Sequence, residues 1–271
     1  MLAPETTDAV LARLGFADAP PIDAVGLAAL YEAWCRHVPF DNLVKRIHLA
    51  SGRPEALPNG RAEPFFASYL AHGTGGTCWP SSNALYELIS AVGFDARRGS
   101  GAMQADPASE PVHSHGTALV RLDGTDHWVD SSMLSIRVLP LEPGRTTRLD
   151  DAVNPLRAEP ADNFWRVFWA FPITDGELSC LLLDDDVDEA HYLARYEWSR
   201  GEGPFNSAVY ATRNLGATKV TVAFGQRFDR TPTGVEKAPL ADRDRVLVEE
   251  FGYSEEIVAA LPPDETPEVR S

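Results

Sequence analysis

The sequence predicts an α+β fold in which a helical N-terminal part is followed by a sheet or barrel. Three observations point to it. Apolar residues recur at helical spacing as far as residue 95 and at strand spacing beyond it. An Asp-Gly pair at 123 and 124 separates two alternating runs, the pattern of a tight hairpin. The 271 residues exceed what one small core usually takes, so two or three packed units are expected. Their bounds are read as 1–95 (helical), 96–187 (β-rich) and 188–271 (connector helix followed by mixed helix and strand).

Each element has a local reason. Val10, Leu11 and Leu14, then Leu27, Leu30, Tyr31 and Trp34, fall at i, i+3, i+4 and i+7 and read as core stripes of two helices. Residues 65–72 and 82–92 continue the pattern, with Leu85, Leu88, Ile89 and Val92 on one face. Pro80 suits a first helical turn and Ser81 or Ser82 can cap free amides, which puts Cys78 at a helix N-terminus. Beyond 96, strands are expected at 116–122, 127–129, 164–172 and 177–183. The Pro-, Arg- and Asp-rich stretch 140–160 reads as an irregular excursion. A connector over 184–188 leads to a helix over 188–200, a strand over 218–224, and one amphipathic helix over 240–261 around Val246, Val248, Phe251 and Ile257.

Composition narrows the function. Forty acidic against 24 basic residues give a formal charge of -16, which repels nucleic acid and anionic membrane surfaces. The basic residues are 21 Arg and three Lys. Cys35, Cys78 and Cys180 lie far apart, are odd in number and show no metal-ligand spacing, so reduced thiols and no bound metal are expected. Neither a leader-like N-terminus nor a membrane-spanning run is seen, and a cytoplasmic protein is the expectation.

The chemistry-bearing constellation is Gly75-Gly76-Thr77-Cys78-Trp79, then His115, then Asp130. A thiol attacks acyl carbon as thiolate, favoured by a neighbouring imidazolium or a helix N-terminus. With Asp123-Gly124 as a two-residue loop, Leu122 faces Thr125, Thr117 falls opposite Asp130, and His115 lies one diagonal step away on the same face. A carboxylate on one imidazole nitrogen leaves the other for a thiol. His127 falls on the opposite face; His113 has the right parity but lies further off, so His115 is preferred. Spacing alone does not separate this reading from a buried core thiol, a satisfied polar His and a turn-forming Asp. Cys35 beside Trp34 and Cys180 in an apolar strand read as core.

With these residues in hand, the chain resembles the arylamine N-acetyltransferase family over most of its length. Val38-Pro39-Phe40-Asp41-Asn42-Leu43 is similar to the family's Pro-Phe-Glu-Asn segment, Gly75-Gly76-Thr77-Cys78 to its Gly-Gly-x-Cys loop, and His115 with Asp130 to its His-to-Asp spacing of fifteen. The segment 199–206, ending Gly203-Pro204-Phe205-Asn206, is similar to its Ser-Pro-Phe connector. The resemblance implies a helical bundle, a barrel-like middle domain and a C-terminal α/β lid around a cysteine-protease- or transglutaminase-like core. It implies Cys78 as nucleophile, His115 as base and Asp130 as orienter, with Phe40, Thr77, Trp79, Ser131 and Met133 at substrate-binding positions.

The chain also departs from the pattern. Thr74 stands where the family has Arg, Pro80 where it has Glu, Asn83 one place after the expected Asn, and Ser131-Ser132-Met133-Leu134 where it has Val-Gly-Phe-Gly. The expected activity is ping-pong acyl transfer from acetyl-CoA or another acyl-CoA to an amine or hydroxyl, both small molecules, with backbone amides near Cys78 binding the oxyanion. Three rivals use the same fold. One is an amide synthase drawing on a carrier-protein thioester, another a transglutaminase-like or hydrolytic cysteine enzyme, and the third a catalytically inactive binding protein.

Overall fold

The computed structural model describes residues 2–104, 109–161, 164–202 and 205–264, the side chain of residue 202 excepted. The helical part comprises α1 (Pro4–Arg13), α2 (Ala24–His37), the short strand β1 (Phe40–Asp41), α3 (Leu43–Ala50), α4 (Ala62–His72) and α5 (Cys78–Val92). α1 begins on Pro4, α2 is capped by the Asp23 carboxylate accepting the Gly26 amide at 2.8 Å, and α4 ends on the left-handed Gly73. The stripes seen in the sequence are the core of this part: Val10, Leu30, Trp34, Phe65 and Phe66 are fully buried. Trp34 stacks on Phe65 at 6.1 Å and meets Phe66 edge-on at 6.2 Å.

An antiparallel sheet of eight strands follows: β2 (Asp95–Met103), β3 (His115–Leu122), β4 (Thr125–Val129), β5 (Leu139–Leu141), β6 (Thr147–Leu149), β7 (Leu156–Ala161), β8 (Phe164–Ala170) and β9 (Glu177–Asp184). Their order, β5-β4-β3-β2-β9-β8-β7-β6, curls into a nearly closed barrel. The Thr147 hydroxyl donates to the Pro140 carbonyl at 2.6 Å and draws the two edges together. Leu119, Trp128, Leu139, Ala158, Val167 and Cys180 fill the interior. Leu122 pairs with Thr125, and Asp123 and Gly124 both have positive φ, as a two-residue Asp-Gly loop requires.

The last third holds α6 (Glu189–Glu202), β10 (Tyr210–Asn214), β11 (Lys219–Ala223), β12 (Gln226–Thr231), β13 (Gly234–Pro239), α7 (Arg243–Glu249) and α8 (Glu255–Ala259). Its sheet runs β1-β10-β11-β12-β13, so the two residues Phe40 and Asp41 of the helical part form its edge. The molecule is thus α+β, with a barrel-like sheet and helices packed on it.

Three expectations need correction. The stretch 140–160 is not irregular but holds β5, β6 and the start of β7. Its prolines are accommodated because β5 is a sheet edge and Pro160 lies beyond the residues of β7 that pair with β6. The single helix over 240–261 is two helices, because Gly252 at φ +75° ends the first and the Ser254 hydroxyl caps the second by accepting the Ile257 amide. β12 and β13 went unseen because Arg, Asp, Glu and Lys interrupt their apolar alternation, and β10 because Tyr-Ala-Thr-Arg-Asn is short and has little alternation to read.

Candidate active site

The turn before α5 is built by a clamp. The Asp41 carboxylate accepts the Gly75 amide at 2.7 Å and the Tyr253 hydroxyl at 3.0 Å on one oxygen, and the Leu43 amide at 3.1 Å on the other. The Asp41 amide donates to the Gly76 carbonyl at 3.1 Å. Gly75 permits this approach, since a Cβ there would lie 1.7 Å from the Pro39 carbonyl oxygen. Thr74 turns away to bond Ser68 at 2.7 Å, so three neutral donors serve Asp41 where the family pattern supplies Arg. Burial pushes the Asp41 carboxyl up to about 6, against the pull of the Gly75 and Leu43 amides and Tyr253.

Cys78 is the first residue of α5, with Thr77 as N-cap. The expected capping by Ser81 or Ser82 does not occur: their hydroxyls donate to the Gly76 and Gly116 carbonyls at 2.9 and 2.7 Å. Thr77 makes no side-chain cap bond either. The amides of the first turn therefore face the dipole-positive end of the helix without a side-chain acceptor.

His115 opens β3, and Asp130 directly follows the last residue of β4. The His115 Nε2 lies 2.7 Å from Asp130 Oδ2, and both residues are buried. The Cys78 thiol and the His115 ring line the same cavity, and the sulfur lies 4.0 Å from the Ser114 carbonyl oxygen. Burial alone would hold the His115 imidazolium down, but the Asp130 charge, the hydrogen bond to it and the neighbouring Cys180 and Cys78 thiols outweigh burial, and the ring is raised well above the usual imidazole range. Burial likewise disfavours ionised Asp130. His115 and the Ser132 amide overcome it and hold the carboxyl below its ordinary value. Cys35 and Cys180 are also buried, and burial pushes each thiol up to about 12. His113 bonds Ser100 at 2.7 Å instead of Asp130.

The second sheet and α2 fix the segment after β4. Tyr31 donates to the Asp130 carbonyl at 2.8 Å, Lys219 to the Met133 carbonyl at 2.6 Å and Asn214 to the Leu134 carbonyl at 2.6 Å. Asp130 Oδ1 accepts the Ser132 and Met133 amides at 2.8 and 3.2 Å, a turn that ends the strand alternation.

A cavity of about 440 Å³ opens beside the sulfur, lined chiefly by aromatic and aliphatic side chains. Of the positions expected at substrate, Phe40, Thr77 and Trp79 line it together with Cys78 and His115. Ser131 and Met133 do not. Ser131 is bonded to Ser82 at 2.8 Å, and Met133 is buried in the barrel interior. The turn at Asp130 reverses their parity and brings Ser132 to the cavity instead. Trp79 packs against Gly116, where a Cβ would come within 2.7 Å of the indole.

Two residues that sequence reasoning missed stand out. Lys45 of α3, 3% exposed, lines the cavity and donates to the Ser199 carbonyl and hydroxyl at 3.0 and 2.9 Å. The signal available was rarity, one of three lysines in a chain that uses Arg 21 times. Phe205, in the connector segment, lines the cavity and packs on Phe40 at 5.3 Å; Gly203 and Pro204 of that segment lie outside the described residues. At Asn83, displaced by one place from the family position, the side chain donates to the Gly60 carbonyl and accepts from Arg98 at 2.7 Å.

No family model matches the chain. The arylamine N-acetyltransferase of Mycolicibacterium smegmatis is 32% identical over 119 residues, which cover 43% of this chain and 41% of that protein. The match thus spans about two fifths of the length of that curated relative. Solved structures agree over nearly the whole chain. The arylamine N-acetyltransferase of M. tuberculosis superposes with a TM-score of 0.77 at 17% identity, covering 94% of both chains. That of Salmonella typhimurium gives 0.78 at 18% identity, covering 96% of this chain and 98% of the other. The Mycobacterium marinum enzyme in complex with CoA gives 0.78 at 17%, covering 95% of each. At such identities the likeness establishes the fold, and the resemblance read from the sequence is borne out. Among the described residues no helix is long and apolar enough to cross a membrane.

Proposed function

We propose that this chain, a divergent member of the arylamine N-acetyltransferase family, is a cysteine-dependent acyltransferase in which Cys78, His115 and Asp130 act together. One observation carries the reading: a buried imidazole bonded to a carboxylate at 2.7 Å lines the same apolar cavity as a thiol at a helix N-terminus. Asp130 holds the ring and favours imidazolium, the proton of Cys78 passes to His115, and the sulfur attacks a thioester carbonyl. The first-turn amides of α5 receive the developing oxyanion. His115 returns the proton to the departing thiol, and an amine or hydroxyl then takes the acyl group by the reverse sequence.

An acyl-CoA donor is supported by the CoA complex of the M. marinum relative and by the cavity's apolar walls, which suit an acyl group and the thioester end of the donor. Intact mass after incubation with a panel of acyl-CoA donors tests the proposal. An acyl adduct on Cys78, absent in Cys78→Ala and discharged by an added amine, is the expected result. Donors hydrolysed without an adduct, or a Cys78 left unmodified by every donor, would overturn it.

A further inference from the structure

The cavity beside Cys78 is a cationic site in an acidic protein. The chain carries a formal charge of -16, yet no Asp or Glu stands among the described residues that line the cavity, while Lys45 and His115 both do. His115 has its carboxylate partner in Asp130; among the described residues Lys45 has no carboxylate within ion-pair distance. An ammonium carries three donors, and two go to the Ser199 carbonyl and hydroxyl. The Ser199 carbonyl is also served by Asn206 at 3.1 Å, so Lys45 is not needed to satisfy it.

A buried ammonium without a countercharge is costly unless something entering the site supplies one. Lys45 also sits against the nucleophile turn, sharing a small second cavity with Gly76, Thr77 and Asp41, whose carboxylate is occupied by the Gly75 and Leu43 amides and the Tyr253 hydroxyl. Burial pushes its ammonium down to about 8, with Cys78 and Glu197 acting against that shift and Arg200 adding to it. The ammonium and the sulfur line the same cavity, so an acyl chain attached to Cys78 shares that space with Lys45.

We propose that Lys45 binds a carboxylate, and that the acyl group carried by this chain ends in one, as in the monothioester of a short dicarboxylic acid. The assignment to the acyl group rests on the acyl-transfer reading; the carboxylate subsite itself does not. In the loading step the donor's C–S bond breaks and a bond from carbonyl carbon to Cys78 Sγ forms. The thiol proton passes through His115 to the departing thiolate, and the distal carboxylate stays ionised against Lys45.

Two measurements test this and separate it from the reading it builds on. The first compares alkylation of Cys78 by iodoacetate and by its neutral isostere iodoacetamide, in the native protein, Lys45→Met and Lys45→Gln. The ratio of the two rates cancels changes in thiol reactivity and needs no acyl transfer. It should fall about tenfold in both variants, the scale of a hydrogen bond to a charged group. An unchanged ratio overturns the subsite.

The second compares loading of Cys78 by malonyl- or succinyl-CoA with loading by neutral acyl-CoA of equal length. The acid-bearing donors should load faster in the native protein and lose that advantage in both variants. Neutral donors loading faster, or a Lys45 dependence seen only with carboxylated acceptor amines, overturns the assignment to the acyl group. If no donor loads while the alkylation ratio still depends on Lys45, the subsite stands and acyl transfer is what fails.

Discussion

Replacing Asp130 with Asn isolates what the carboxylate does for His115. The native side chain accepts three hydrogen bonds, two from the Ser132 and Met133 amides on Oδ1 and one from His115 Nε2 on Oδ2. In Asp130→Asn the amide oxygen keeps both backbone donors, because the amide nitrogen cannot accept them. That nitrogen must then face His115 Nε2 as a donor, so Nε2 becomes an acceptor and the ring proton moves to Nδ1, towards Cys78. The imidazole can no longer take the thiol proton. A wrong tautomer in preserved geometry costs about 10⁴-fold in the serine-protease triad, and a loss of about 10³- to 10⁴-fold in Cys78 acylation is expected here.

The stability cost should be much smaller, about 1–3 kcal/mol, because one charged hydrogen bond is lost while the turn is kept. The pH dependence follows in sign. The raised His115 value stabilises the native fold fully below the free imidazole range, and that contribution fades as pH climbs through the folded value. The lowered Asp130 value contributes above the free carboxyl range and is lost as pH falls through the folded one. Both dependences should vanish in the variant. Stopped-flow alkylation, single-turnover acylation and denaturation across pH supply the readouts; acylation within about tenfold of native would refute the tautomer argument.

Other perturbations follow from the same geometry. Gly75→Ala drives a Cβ into the Pro39 carbonyl at 1.7 Å, so the Asp41 clamp must open; a loss of about 3 kcal/mol or more and altered Cys78 alkylation are expected, by denaturant titration and kinetics. Arg98→Met removes the guanidinium that bonds Glu87 at 2.7 Å and Asn83 at 2.7 Å, a buried pair whose breakage should cost about 3–5 kcal/mol in urea unfolding. Asp41, with its carboxyl raised to about 6, binds its proton more tightly in the native state. Its contribution should fall by about 3 kcal/mol as pH rises from about 4 to about 6, a slope that Asp41→Asn lacks in denaturation curves.

The sequence made the pairing of His115 with Asp130 legible because of one turn. Asp123-Gly124 fixed the β3–β4 register, and register fixed which His shares a face with Asp130. The same argument failed one residue further on: Asp130 folds the chain back on its own Oδ1, and alternation cannot foresee that Ser132 replaces Ser131 and Met133 at the cavity. Helical stripes located α1, α2 and α4 because each buries one apolar face, and α5 through its stripe of Leu85, Leu88 and Ile89 although that helix is buried nearly all round. Lys45 and Arg46 lie buried on α3, where charged residues read as solvated. Their burial depends on Ser199, Ser207 and Asp264, residues far along the chain that no local pattern announces.

The clamp on the nucleophile turn also sets an order of events during synthesis. Asp41 and Gly75 leave the ribosome early, whereas the hydroxyl of Tyr253 that completes their contact is made nearly 180 residues after Gly75. A nascent chain therefore carries Cys78 long before the turn beneath it is locked. The reactive geometry is acquired late, once the C-terminal segment has docked.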